Sequence, residues 1–395
     1  MIVVTTWTAR DCRALRKALG MKQTELADDL LAGLRTYKRW ENGGTIGEGG
    51  HAALSARLAK LSPSQAEAFR RFRNGDEPEP AEVQSEPRRL DAGRPDAATI
   101  ASVRTTLWAA MELDDKLGSP AALGLVTAQK ALTAAMLRDC GPELQPALLS
   151  LYAEWHGLAG ALAADDGDHA TAAQCYEDAR EYAHDAEDDD LAAYMLCHMS
   201  QLAIWQGRRR IAMDHATAAR SWVTQSADRR LRAYVGIRFA DAAGRIGQRM
   251  AALSALDDAA HALDGLTLSC HPSESRAYFV GPGLLESFSG LVHTQLGDPA
   301  RGAEASRHAV GLIPETFVRD RALTLLELAD PLGRMGEIEE AAAVVGHAAE
   351  MTAQNRSPRL ADSIRSARAQ LLPWAATAPV IALDEQLVAR DIVSR

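Results

Sequence analysis

The chain has few features of a catalyst, and each absence narrows what it can be. Its five cysteines, Cys12, Cys140, Cys175, Cys197 and Cys270, include no C-x-x-C pair and are odd in number. A disulfide framework is therefore not expected, and buried thiols in a reducing compartment are. No stretch approaches the roughly 20 uninterrupted apolar residues of a membrane span. The first residues, Met1 to Trp7, lack the basic region, apolar core and cleavage site of a signal peptide. Together these predict a cytoplasmic protein with no membrane partner.

Eleven histidines are present, but none stand in H-x-x-x-H or in a Cys/His cluster of ligand spacing, so no metal is expected. The adjacent pairs Cys197-His198 and Cys270-His271 would point in different directions on a helix. A nucleophile elbow, a kinase motif set, a dinucleotide glycine fingerprint and a zinc deaminase signature are all missing. No enzyme activity and no cofactor are predicted. The glycine cluster from Gly43 to Gly50 follows no strand and precedes no Gly-Lys-Ser/Thr, so it reads as a loop and not a phosphate cradle. The carboxylates from Asp185 to Asp190 read as a solvated face and not a catalytic pair.

What is present is an asymmetry of charge. The net charge of -10 conceals a basic start: residues 1–75 hold 13 Lys and Arg against 7 Asp and Glu, and the remainder 30 against 46. A basic head on an acidic body is the pattern of a DNA reader joined to a module that avoids phosphates. Within the head, Thr8 and Gly20 bracket a helix over Ala9 to Leu19. Leu26, Ala27 and Leu30 then share one apolar face. Beyond them Tyr37 and Trp40 point inward, leaving Arg35, Lys38 and Arg39 on the surface. Further helices are predicted from about Ala52 to Leu61 and from Ser64 to Phe72.

The residues Gln23, Leu26, Ala27, Trp40, Glu41 and Gly43 stand at the offsets of the phage-repressor (XRE/Cro) helix-turn-helix, which the segment from about residue 8 to 73 resembles. Leu31 occupies the turn position where that family usually has Gly, and Lys22 the place of the usual Ser or Thr cap; Gly33 is an acceptable cap for the second helix. The resemblance implies a recognition helix, Gly33 to Arg39, in a DNA major groove. Leu34, Arg35, Thr36 and Arg39 would lie nearest the bases, with Gln23 and Lys38 at phosphates.

Residues 74–98 hold four prolines and almost no large apolar side chain, and read as a linker. From Thr99 the chain is Ala- and Leu-rich and repeats itself. Gly160, Gly167, Ala172, Tyr176 and Ala179 are followed forty residues on by Ser200, Gly207, Ala212, Ala216 and Ala219, and then by Ala240, Gly247, Ala252, Leu256 and Ala259. The frame returns at Gly290 with Gly297 and at Ala329 with Gly336, and a weaker first copy has Gly118. Small residues let two antiparallel helices approach, and the glycine ends the first of them. The pattern over 99–372 resembles tetratricopeptide repeats, at intervals longer than the usual 34 residues. An all-α protein is expected: a five-helix head over 1–73, the linker, a solenoid of helix pairs over 99–372, and a last helix or tail over 373–395 that caps the array or dimerises. The long interval from Leu266 to Gly283 is read as a connection, with a lid or partner contact as the other possibility.

Tyr194, His198, Gln201 and Trp205 follow i, i+4, i+7 and i+11, and Tyr234, Arg238, Asp241 and Arg245 repeat those offsets, so both rows lie on the same side of neighbouring helices. In tetratricopeptide proteins that side lines the concave groove, and Glu327, Asp330 and Arg334 extend it. Aromatic, amide and charged groups together suit a peptide or a polar small molecule. Regulators of this architecture that respond to peptides commonly hold the peptide backbone with asparagines, and the body has only Asn355. The resemblances together imply a homodimeric transcriptional regulator that binds double-stranded DNA and senses a peptide, small molecule or protein. A protein-interaction adaptor or antitoxin-like partner is the alternative.

Overall fold

The computed structural model describes residues 4, 6–19, 21, 23–30, 32–61, 63–74, 95–266, 271–355 and 357–393. Among them every regular element is helical. Gly20, Lys22, Leu31, Cys270 and most of the linker lie outside the described residues. The chain divides into two compact units, Met1–Arg89 and Leu90–Arg395.

In the first unit five helices form around one core: α1 (Ala9–Leu19), α2 (Gln23–Asp29), α3 (Leu34–Glu41), α4 (Glu48–Ala59) and α5 (Pro63–Asn74). Thr8 and Asp11 make a reciprocal cap on α1. The Thr8 hydroxyl and amide both donate to the Asp11 carboxylate, at 2.7 and 2.9 Å, and the Asp11 amide donates back to Thr8 Oγ1 at 3.3 Å. Leu15, Leu26, Tyr37, Leu54 and Phe69 are fully buried, with Trp7 and Trp40 beside them. Each such side chain contributes roughly 1.5–3 kcal/mol by leaving water. Gly33 caps α3 in an extended conformation. The glycine cluster is only partly a loop: α4 begins at Glu48, four residues earlier than its sequence suggests, and carries Gly49 and Gly50. A Cβ on Gly50 would come within 2.7 Å of the Trp40 ring, so helix and indole pack there because that residue is glycine.

The second unit is a stack of six antiparallel helix pairs among the described residues, α6 (Ala97–Leu117) with α7 (Ser119–Asp139), α8 (Gln145–Asp165) with α9 (His169–Asp185), α10 (Asp189–Trp205) with α11 (Arg209–Trp222), α12 (Arg229–Arg245) with α13 (Arg249–Leu263), α14 (Pro282–Gln295) with α15 (Pro299–Leu312), and α16 (Val318–Met335) with α17 (Ile338–Met351), followed by α18 (Pro358–Gln370), which packs on α16 and α17, and α19 (Ala378–Ala389), which packs on α17. Gly118, Gly167, Gly207, Gly247, Gly297 and Gly336 all turn the chain within a pair at φ between 73° and 91°, a region a Cβ disfavours. The small residues of the repeat sit where partner helices touch. Ser200 Oγ donates to the Ala212 carbonyl across one pair at 2.8 Å, and a Cβ on Gly290 would meet the Gly302 carbonyl at 2.8 Å. Asp96, Asp168, Asp188, Asp228 and Asp298 cap the helices that follow them. The tail helix α19 buries Val380, Leu383 and Leu387 in the core it shares with α17.

The stack does not stay open. Its superhelix turns far enough for the late pairs to meet the early ones. Arg319 of α16 donates to both carboxylate oxygens of Asp114 on α6, at 3.1 and 2.9 Å. Asn355 Nδ2 donates to the Asp115 carbonyl at 2.9 Å, and Ser357 Oγ to Asp165 of α8 at 2.6 Å. Asn355, the sole asparagine of the array, is thus spent on closure. The stretch 271–281, just before α14, crosses the same interior. Ser275 Oγ donates to the cap residue Asp228 at 2.6 Å, and Arg276 reaches the cap residue Asp188 at 2.7 Å and Glu154 at 3.2 Å. Tyr278 donates to Asp115 at 2.5 Å. It is neither a plain connection nor an outer lid, but a strut held from several helices.

Candidate functional site

Two places carry the residues singled out in the sequence. In the first unit α3 has an inner and an outer face. Inside, Tyr37 and Glu41 are buried together: the tyrosine hydroxyl donates to Glu41 Oε1 at 3.0 Å, Arg16 Nε donates to the same oxygen at 2.7 Å, and Gln23 Nε2 donates to Oε2 at 2.5 Å. Burial pushes the Glu41 carboxyl upward, but these three donors outweigh it and hold the group below its usual range. Gln23 is therefore placed differently from its sequence reading. Its amide nitrogen is aimed inward, joining α2 to α3, and not outward at a phosphate. Leu34 is half-buried against the core, and Thr36 is half-buried as well. Arg35, Lys38 and Arg39 are exposed, and none has a hydrogen-bond or ion-pair partner among the described residues.

The second place is a cavity of about 230 Å³ inside the superhelix. The first helix of every pair contributes to its wall, with Tyr176 of α9 and the strut residues Arg276, Tyr278 and Phe279. It brings together Tyr194, His198, Gln201 and Trp205 of α10, and Tyr234 and Arg238 of α12. The rings form a continuous set: Tyr194 lies edge-on to His198 at 4.6 Å, Tyr176 stacks on His198 at 5.3 Å, Tyr194 meets Tyr234 at 5.7 Å, and Tyr234 meets Phe279 at 5.3 Å.

Asp241 and Arg245 do not join it. Arg245 Nε folds back onto Asp241 at 2.7 Å, Gln295 of α14 donates to the same carboxylate at 3.0 Å, and the group is closed off outside the cavity. Of the suggested extension only Glu327 lines the wall; Asp330 and Arg334 pair with each other.

The charges of the wall are unevenly compensated. Arg319 lies within 2.9–3.7 Å of Asp114, Asp115 and Asp165. Arg276 pairs with Glu154 and Asp188, Arg359 with Asp165 at 3.4 Å, and Arg238 with Asp241 at 3.8 Å. Two arginines also lie over rings, Arg238 above Phe288 at 5.1 Å and Arg359 above Trp205 at 5.0 Å. On α16 matters differ. Glu327 receives the Ser287 hydroxyl at 2.6 Å but has no arginine within ion-pair distance, and the Asp320 carboxylate has no hydrogen-bond or ion-pair partner among the described residues, its carbonyl alone accepting from Thr324 Oγ1 at 2.9 Å.

Burial pushes Glu327 up to about 7 against the Ser287 hydrogen bond, and it raises Asp320 despite Arg319 and Arg359 nearby. Asp115 likewise rises to about 7 through burial. His198 falls to about 3, first through burial and then through Arg238 and Arg359, so it is neutral. Among the described residues there is no group of His, Cys, Asp and Glu that could hold a metal ion, and no helix is long and apolar enough to cross a membrane.

No protein-family model matches the chain, and no curated protein matches it. Among solved structures it is similar to BtubC from P. vanneervenii, with 16% identity and a TM-score of 0.39 over 66% of this chain and 92% of that one. It is also similar to a Rap protein complexed with competence and sporulation factor, with 14% identity and a TM-score of 0.47 over 74% of this chain and 88% of that one.

The charged and hydroxyl-bearing wall residues that the periodic rows leave out include Asp114, Asp115, Arg276, Tyr278, Arg319, Asp320 and Arg359. Most belong to the early and late pairs, which meet only because the superhelix closes. One sequence signal reaches part of the set. Two residues before the small residue of each repeat stand Leu158, His198, Arg238, Phe288 and Glu327, and all five line the cavity.

Proposed function

We propose that the protein is a sequence-specific DNA-binding transcriptional regulator whose helical-repeat body receives an effector in its interior cavity. The observation that carries this is the outer face of α3. Arg35, Lys38 and Arg39 project into solvent unpaired while Tyr37, Trp40 and Glu41 fix the helix from behind. A short helix with a packed back and an unneutralised basic front suits the major groove, where arginine pairs bidentately with guanine. Arg35 and Arg39 read bases, Lys38 meets phosphate, and Thr36 and Leu34 supply the close apolar and hydroxyl contacts. A single head makes few contacts, so two copies on half-sites about one helical turn apart provide the affinity, and the protein acts as a homodimer. An effector controls it by binding one curvature of the superhelix better than the other.

Footprinting on genomic fragments tests the reading. Two related protected half-sites about ten base pairs apart are expected, and Arg35→Ala with Arg39→Ala abolishes the protection at an unchanged melting temperature. Removing either arginine from its guanine takes away roughly 1–3 kcal/mol of discrimination. Footprints that survive the double substitution reject the assignment. If the intact protein protects no DNA at low salt, with or without cell extract, the adaptor reading takes its place.

A further inference from the structure

The cavity wall shows which ligand chemistry it lacks. Its arginines each have a carboxylate within 4 Å, whereas Asp320 and Glu327 have no cation at that distance. These two carboxyls stand seven residues apart on α16, two helical turns or roughly 10 Å along one face. Between them, at i+3 and i+4, Leu323 and Thr324 also line the cavity. Facing them are tyrosines whose hydroxyls have no partner among the described residues: Tyr176, 2% exposed, and Tyr234, 4% exposed, both lining the cavity.

We infer that the cavity takes a linear organic dication, an aliphatic chain bearing an ammonium group at each end, with one end at Asp320, the other at Glu327 and the chain against the tyrosine rings. An anion is disfavoured, because the arginines are already neutralised. A neutral chain leaves both carboxyls uncompensated. Aromatic faces and buried carboxylates are the two partners that bind ammonium when water is excluded. The raised affinity of Glu327 and Asp320 for protons, caused by burial, is the same deficit expressed toward the smallest available cation.

This assignment rests on the cavity being the effector site proposed above, yet the two are tested apart, since binding to the cavity needs no DNA. Isothermal titration calorimetry on the full chain compares 1,8-diaminooctane with 1-aminooctane and 1,8-octanediol, molecules of similar length with two, one and no charges. The diamine is expected to bind with one-to-one stoichiometry, at least tenfold tighter than the monoamine and at least a hundredfold tighter than the diol. Asp320→Asn and Glu327→Gln each reduce its affinity about tenfold. Neither lowers the melting temperature of the free protein, because each replaces an uncompensated charge by a neutral group of the same shape. The substitutions Asp257→Asn and Asp258→Asn, on exposed carboxylates of α13, leave binding unchanged.

Equal binding of diamine and diol, no saturable diamine binding, or an equal loss in the α13 variant overturns the assignment. Diamine binding without DNA protection keeps it and rejects the regulator; DNA protection without diamine binding does the reverse.

Discussion

In the first unit the arginine and lysine side chains of α3 reach solvent without partners, whereas in the second Arg238, Arg319 and Arg359 are turned inward among carboxylates and rings. Among the described residues the first unit buries few charged groups, and those it buries, Glu41 and Asp11, are satisfied by Arg16 and Arg73, with polar side chains completing the set. The surface charge of its α3 is left unpaired among the described residues. The second buries many charges and leaves two carboxyls of its cavity uncompensated. One arrangement leaves charge on an outer face, the other leaves it in an interior.

Glu41 gives the largest way to break this contrast. Its replacement by Ala leaves Arg16, Gln23 and Tyr37 without their common acceptor, and removing one member of a buried charged set costs about 3–5 kcal/mol. For a unit this small such a loss is close to its whole stability. Calorimetry of the full chain is expected to lose the transition of the first unit while that of the second stays in place. A single transition shifted as a whole would mean that the units do not melt independently. Gly290→Ala is the counterpart in the second unit. The new methyl meets Ser306 and the Gly302 carbonyl, overpacking that costs about 1–3 kcal/mol. The second transition moves down and the first does not.

A gentler test changes no residue. Glu41 is held below its unfolded value, so it contributes stability above about pH 4.5 that is lost as pH falls through its lower folded value. Glu327 and Asp115 are held up near 7, so their contribution to the second unit is present below about pH 4 and lost as pH rises to about 7, whereas His156, held down near 4, and His198, held near 3, act in the opposite sense and favour the folded state as pH rises to about 6.5. Glu327 faces Arg238, Arg245 and Asp241; Asp115 faces Arg319, Asp114, Asp320 and Tyr278. The first unit's melting temperature is therefore expected to hold above about pH 5 and to fall as pH drops below about 4.5. A first transition that stays level down to about pH 3 would remove the electrostatic part of the comparison.

Much of the second unit can be read from residues near one another in the chain. The positive-φ glycines and the small residues of each pair act between helices joined by a few residues, so their spacing survives as a period. Tyr194 and His198 are found for the same reason. Asp320, Arg319, Asp114 and the strut at Ser275 to Phe279 are not legible, because their neighbours lie far away in sequence and meet only when the superhelix closes. Asp241 and Arg245 show the reverse error: the right offsets place them on the right helix, but Gln295 from the next pair covers them. In the first unit the apolar faces of α1, α2 and α3 follow from periodicity. The inward turn of Gln23 does not, since a long polar side chain beside a basic helix reads equally as a phosphate contact or as a strut, and only the position of Glu41 decides.

Closure by Arg319, Asn355 and Ser357 also changes how the array comes apart. A linear row of repeats loses order from its free ends, one neighbour at a time, because each pair is supported by those on either side and the outermost by one alone. Joining α16 and α18 to α6 and α8 gives the early pairs a second set of neighbours, so there is no natural place for unravelling to begin. The second unit is then a loop of mutual supports that opens as a whole or remains shut, and the space at its centre exists only while every pair is in place.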